Sequence, residues 1–195
     1  MRRARIIDIA LWAALAVPAV LYVVRATGMT AEHLEELLLP SGEMSARLLI
    51  VALAVTPLAK LLPNSGFIRW LRRQRRAIGL AAFGYGVLHL VFYLIAMGTL
   101  DAVLAEIGAT GIWTGWVALA FLVPLALTSS NVAMRALGRN WKRVQRLAYP
   151  AALLTLAHWL TIHGGFIVAL AHFAPLMILE AIRIFRRRTS VAATA

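Results

Sequence analysis

The sequence predicts an all-α integral membrane protein, a six-helix bundle with both termini cytoplasmic, and three observations carry that prediction. Hydrophobic residues fill 62% of the 195 positions and mean hydropathy is +0.80, more apolar sequence than a soluble domain of this length carries. The apolar residues gather into six stretches of roughly 17–21 residues, each long enough for a ~30 Å hydrocarbon core. All but two of the 20 Lys and Arg lie before, after or between these stretches on one side of the expected bundle, which marks that side as cytoplasmic.

The elements follow in order, as one domain over residues 1–195. Ile6–Val24 comes after Arg2, Arg3 and Arg5. It is long for the apolar core of a signal peptide and no small-residue cleavage site follows at Tyr22–Thr27, so it reads as a retained helix. An outer loop with Glu32, Glu35, Glu36 and Glu43 leads to the second stretch, Ala46–Leu62. Lys60, Arg69, Arg72, Arg73, Arg75 and Arg76 separate it from the third, Ala77–Met97. Asp101 and Glu106 precede Ile112–Thr128, on the outer side. Arg135, Arg139, Lys142, Arg143 and Arg146 lead into Val144–Ile162, and Phe166–Phe185 ends at Arg183 and Arg186–Arg188. Arg25 and Arg47 are the two cations left near the outer side.

Several function classes fall away. A net charge of +12 invites a nucleic-acid reading, but the charges sit at the ends of apolar segments and form no polar face, so no nucleic acid is expected. The cytoplasmic arginines bind anionic membrane lipids instead. Cysteine is absent, which removes disulfides, thiolate metal sites and covalent haem attachment. No G-x-G-x-x-G follows a strand pattern and no internal repeat is visible.

The histidines carry the chemistry. His89 follows Arg75–Arg76, and His158 follows Arg146, by nearly the same number of residues. At ~1.5 Å per residue both imidazoles come to roughly 18–21 Å across the bilayer from the basic face. A titratable ring at that depth is costly without a partner, and two at one level point to a shared ligand. A haem b held by an imidazole on each side fits best, with His89 and His158 as axial ligands to the iron. Gly84 and Gly86 near His89, and Ala151, Ala152 and Ala157 near His158, would let a flat macrocycle slot between helices. Tyr85, Phe92 and Trp159 are candidates to sit beside it. The bland alternative is that the two histidines are hydrogen-bonded packing residues.

The other histidines compete less well. His172, in the last stretch, lies near the level of His158 and is a candidate alternative ligand or quinone-pocket residue. His163 sits at the outer end of the fifth stretch and His33 in the acidic loop. Among the basic residues, Arg75 and Arg76 are candidates for a flavin or quinone site, because the forked guanidinium suits phosphate and carboxylate. Ser129–Ser130 reads as a helix cap or a donor to a bound group.

The stretches RRAIGLAAFGYGVLHLVFY and LTSSNVAMRALGRNWKRVQRLAYPAALLTLAHWL resemble the MsrQ (YedZ) family, part of the ferric-reductase-like transmembrane group. The likeness runs from about Arg47 to the end of the fifth stretch. It implies a subunit of the bacterial inner membrane that takes electrons from the quinol pool or a cytoplasmic flavin reductase. Through b-type haem, with FMN as a further proposed cofactor, these would pass to MsrP, a periplasmic molybdopterin enzyme that reduces methionine sulfoxide in oxidised proteins. The family's haem histidines fall on His89 and His158. One position departs: where the family has W-x-x-L-H-x-x-x-Y this chain reads WKRVQRLAY, with Gln145 in place of a histidine. No other histidine lies on the inner side, so electrons would reach an outer haem from a quinol or from a flavin near the inner arginines. Two other readings remain at this stage: a quinol or ferric reductase with another acceptor, and a haem-free small transporter or assembly factor.

Overall fold

The structure, a computed structural model, describes the backbone of residues 2–162 and 165–192 and the side chains of residues 6–162 and 165–186. Among the described residues every regular element is a helix. They are α1 (Arg2–Ala26), α2 (Ala31–Leu61), α3 (Gly66–Met97), α4 (Leu100–Glu106), α5 (Thr110–Leu127), α6 (Asn131–Leu137), α7 (Arg139–Gln145), α8 (Ala148–Ile162) and α9 (Phe166–Ala192). The all-α, membrane-type fold expected from composition is what forms.

Two helices are longer than their apolar cores. α2 starts at Ala31 rather than near Ala46, so Glu32, Glu35, Glu36 and Glu43 stand on a helix instead of in a loop. The reason is amphipathicity. Leu34, Leu37, Ser41, Ser45 and Leu49 recur every three or four residues as a buried stripe while the acids occupy the other face, so the mean hydropathy of the segment understates it. Glu32 in the first turn also complements the helix dipole. α3 starts at Gly66, where the Ser65 hydroxyl accepts from the Ile68 amide at 3.3 Å, which places Arg69–Arg76 on its first turns.

Five helices are long and apolar enough to cross a membrane: Ile6–Ala26, Ala31–Leu61, Gly66–Met97, Thr110–Leu127 and Phe166–Arg186. The expected stretch Val144–Ile162 is divided instead. α7 stops at Gln145, a tight turn at Arg146–Leu147 intervenes, and α8 has 15 residues, ~22 Å of rise. That is short of the ~30 Å core, so a count of six full-length spans does not follow from the described helices.

The antiparallel pairs α2–α3 and α5–α8 form the centre. Small residues let them approach: Ala46, Ala82, Ala148, Ala151 and Ala152 are buried in one core with Leu49, Leu53, Leu122 and Trp159. α9 closes it with Ala169, Phe173 and Leu176 on one face. A smaller cluster of Leu34, Leu37 and Phe92 packs with Tyr22 and Ala26 of α1. α1 is otherwise the outermost helix, with Ile9, Leu21 and Val24 about 60% exposed, as suits a lipid-facing span. Ser130 caps α6 by accepting from the Ala133 amide, and Ser129 donates to the Leu125 carbonyl, so both serines are structural.

Candidate haem-type site between two helix pairs

His89 and His158 come together. Their ring centroids are 6.0 Å apart and their planes stand at 83°, one from α3 and the other from α8. Both line a cavity between α2, α3, α5 and α8 with about 890 Å³ of empty volume, part of it open to the surroundings. The wall is mostly apolar, with Leu39, Leu90, Leu119 and Leu122 against Trp116 and Trp159.

Each imidazole is oriented by a backbone carbonyl of the facing helix. His89 Nδ1 is 2.9 Å from the Leu38 carbonyl oxygen and His158 Nδ1 is 2.6 Å from that of Gly111. A carbonyl only accepts, so both Nδ1 atoms carry the proton and both lone pairs reside on Nε2. This is the arrangement by which proteins prepare histidine for metal, a second hydrogen bond fixing tautomer and ring orientation. An imidazole nitrogen binds a first-row metal at ~2.0–2.1 Å, so rings on opposite sides of one ion stand ~6 Å centre to centre. The observed separation matches. Among the described residues no three His, Cys, Asp or Glu side chains cluster around an ion. A metal at this pair would therefore bring its remaining ligands with it, as a metal in a macrocycle does.

The neighbouring expectations resolve individually. Gly86 lines the cavity, whereas a β-carbon at Gly84 would meet nothing and Ala151 and Ala152 belong to the core. Trp159 is a wall residue. Tyr85 turns away to donate to the Leu15 carbonyl of α1 at 2.8 Å, and Phe92 packs in the smaller cluster.

His172 stands behind Trp159, their ring centroids 5.2 Å apart, outside the cavity wall. Its Nδ1 donates to the Val168 carbonyl at 2.8 Å, and its Nε2 accepts from Arg47 Nε at 3.2 Å. Arg47 in turn pairs with Glu43, one turn earlier on α2, and Glu43 lines the cavity. Sequence reading placed Glu43 in an outer loop and Arg47 near the outer side; both stand on α2, where they form a polar chain with His172. His163 lies outside the described residues. His33 bonds Thr30 at the start of α2.

At the basic end Arg75 and Arg76 diverge, as adjacent helical residues do. Arg75 Nε donates to the Ala52 carbonyl at 2.9 Å, inside the α2–α3 pair, and Arg76 donates to Asn131 of α6 at 2.7 Å. Nearby, Arg183 bridges Glu180 and the Tyr149 hydroxyl. Gln145 is tied to Thr128 Oγ1 at 3.1 Å and to the Leu125 carbonyl, so it fastens α7 to the end of α5.

Comparison with known proteins agrees with this architecture. The family described as "Ferric reductase like transmembrane component" matches residues 41–156, which contain His89 and Gly111 and stop two residues before His158. The protein-methionine-sulfoxide reductase haem-binding subunit MsrQ of Azospira oryzae is 40% identical over 134 residues, 67% of this chain and 56% of the relative. Its counterpart in Rhizobium meliloti is 37% identical over 138 residues, 69% of this chain and 60% of the relative. That of Xanthomonas campestris pv. campestris (strain 8004) is 35% identical over 159 residues, 80% of this chain and 71% of the relative. The chain thus spans a little over half the length of the first two. No solved structure matches it. The chain belongs to the ferric-reductase-like transmembrane family and, within it, to the MsrQ family.

Proposed function

We propose that this protein is a haem b subunit of the bacterial inner membrane, with His89 and His158 as axial ligands, that relays electrons to a periplasmic methionine sulfoxide reductase of the MsrP type. The observation that carries the reading is the pair of imidazoles at an apolar cavity, each with Nδ1 against a backbone carbonyl and their ring centroids 6.0 Å apart. Bound there, haem b supplies one-electron exchange at its iron. The protein's own work is to fix the two rings, exclude water with Leu90, Leu119, Leu122 and Trp116, and hold the Glu43 carboxylate at the wall. The basic bias and the depth of the histidines support six membrane-embedded helices with both termini cytoplasmic, α8 reaching only part of the way across.

The donor follows from distance. His89 lies ~21 Å of helix rise beyond Arg75, and every histidine in the chain other than His89 and His158 also falls toward the acidic side. An electron entering from a cytoplasmic flavin reductase would have no intermediate haem on the way. A quinol, which moves within the bilayer, can approach the cavity directly, and we favour it as donor. FMN finds little support at Arg75 and Arg76, whose guanidinium groups point to different helices.

The test is a reduced-minus-oxidised spectrum with pyridine haemochrome quantitation on the purified chain, followed by addition of a reduced menaquinone analogue. About one haem b per chain, reduced by the quinol, is expected; a folded chain with no Soret band sinks the reading. A related result concerns the inner side. Gln145→His alone should leave the haem-to-chain ratio unchanged, because the facing helix offers Arg75 and no imidazole at that level. A ratio rising to two in the same assay would overturn the single-haem reading.

A further inference from the structure

The two histidines are held by the same device twice, although the sequences around them do not repeat. On α2 the carbonyl that binds His89 belongs to Leu38, and the residues three and four further on are Ser41 and Gly42. On α5 the carbonyl that binds His158 belongs to Gly111, and the residues three and four further on are Thr114 and Gly115. Ser41 donates to the Leu37 and Leu38 carbonyls at 2.6 and 3.1 Å; Thr114 donates to those of Thr110 and Gly111 at 2.8 and 2.9 Å. Both hydroxyl residues are buried. In each case the histidine comes from the antiparallel partner helix, α3 or α8.

The glycine explains why the carbonyl is reachable. Helical side chains lean toward the N-terminus and cover the turn before their own α-carbon. A side chain at 42 would cover the Leu38 carbonyl, and one at 115 that of Gly111. Even a methyl would press on the ring at 42 and collide with it at 115. A β-carbon on Gly42 would stand 3.1 Å from His89 Nδ1, and one on Gly115 only 2.7 Å from His158 Nδ1. An imidazole that backed away would lengthen its bond to the carbonyl below.

We propose that Ser41–Gly42 and Thr114–Gly115 are positioning residues, paired platforms that fix the tautomer and the plane of the two haem-ligating imidazoles. The proposal rests on the haem reading above. As the platforms hold them here the ring planes stand 83° apart, and haem bound between rings so held would meet nearly perpendicular imidazoles. Perpendicular imidazole planes leave the two π-type d orbitals of a ferric iron nearly degenerate, which gives a highly anisotropic low-spin EPR signal. Parallel planes split those orbitals and give an ordinary rhombic one.

The experiment compares the full chain, purified from haem-replete cells, with Gly42→Ala, Gly115→Ala, Thr114→Val and Thr114→Ser. Gly79→Ala, whose added methyl would meet nothing, serves as control. Haem content, EPR of the oxidised protein and reduction potential are read together. The wild type should give the anisotropic signal. Gly115→Ala should lower haem affinity about 10–100-fold, the usual cost of losing an outer-shell partner of a metal histidine. Gly42→Ala, with the milder clash, should keep its haem and shift the EPR signal toward the rhombic form. Thr114→Val should shift it too and Thr114→Ser should restore it. Wild-type haem content, EPR and potential in both glycine variants would overturn the proposal; should Gly115→Ala fail to accumulate, Gly42→Ala and the threonine pair decide. A wild-type chain that folds without haem fails earlier, at the underlying reading, and removes the platforms' role with it.

Discussion

His89→Ala and His158→Ala should each reduce bound haem to background while the helices still assemble, and His172→Ala should retain it. The contrast between loss of ligand and survival of fold follows from where the hydrogen bonds go. When an imidazole is removed, the Leu38 or Gly111 carbonyl still accepts from the Ser41 or Thr114 hydroxyl and from its own helix, so no buried acceptor is orphaned. Both imidazoles already line a cavity, so an alanine enlarges an existing space and cuts no new hole in the core. His172 differs because both of its nitrogens are engaged, one by Val168 and one by Arg47. Haemochrome quantitation beside size-exclusion profiles and helical circular dichroism checks all three. Haem retained by either His89→Ala or His158→Ala in monodisperse protein would remove that residue from the axial pair. Haem lost only from His172→Ala would transfer the role there.

Much of this was legible in the sequence, for an identifiable reason. Basic residues mark where helices enter the membrane, and helical rise is constant, so counting from Arg75–Arg76 and from Arg146 places His89 and His158 at one depth without any tertiary information. What depth alone leaves open is azimuth, and every feature that escaped the sequence depends on azimuth or register. Ser41–Gly42 and Thr114–Gly115 lie on the helices that face the histidines. Their relation to the rings appears only once α2 is registered against α3 and α5 against α8. A search for Ser/Thr-Gly steps at helical positions opposite each histidine would have found them. Glu43 was read into a loop because averaging hydropathy over a window blends the two faces of α2. A helical-wheel reading from Ala31 would have kept Leu34, Leu37, Ser41 and Ser45 on one stripe. Arg75 and Arg76 were read as one patch, although neighbours on a helix point about a quarter-turn or more apart. The break at Arg146–Leu147 is announced by Pro150, which has no amide hydrogen for the Arg146 carbonyl and is suited to the first turn of α8. The hydrogen bond from Gln145 to Thr128 fastens the end of α7 to α5.

Arg47→Ala is the substitution with the largest expected effect away from the ligands. Glu43 and Arg47 lie on α2 where its acidic first turns give way to the apolar core, one at the cavity wall and the other against His172. Half-buried charges there are stabilised by pairing, and Glu43 has Arg47 one turn away. Removing the arginine leaves a carboxylate 17% exposed at the cavity wall and takes the donor from His172 Nε2. Breaking a buried ion pair from one side costs ~3–5 kcal/mol. The Arg47 side chain is itself 43% exposed, which holds the cost near or below the lower figure. Two readouts should move together. Thermal unfolding of the detergent-solubilised protein shifts down, and the haem reduction potential falls, because an uncompensated negative charge beside the iron favours the ferric state. Glu43→Gln shifts the potential the other way, since the carboxylate charge is gone while Arg47 remains. The double variant Glu43→Gln/Arg47→Ala, with neither charge, recovers most of the stability and returns toward the wild-type potential. That non-additivity is the signature of a coupled pair. If the single and double variants all unfold at the wild-type temperature, the Glu43–Arg47–His172 chain contributes nothing to the fold. If only the potential stays fixed, Glu43 is too far from the iron to tune it.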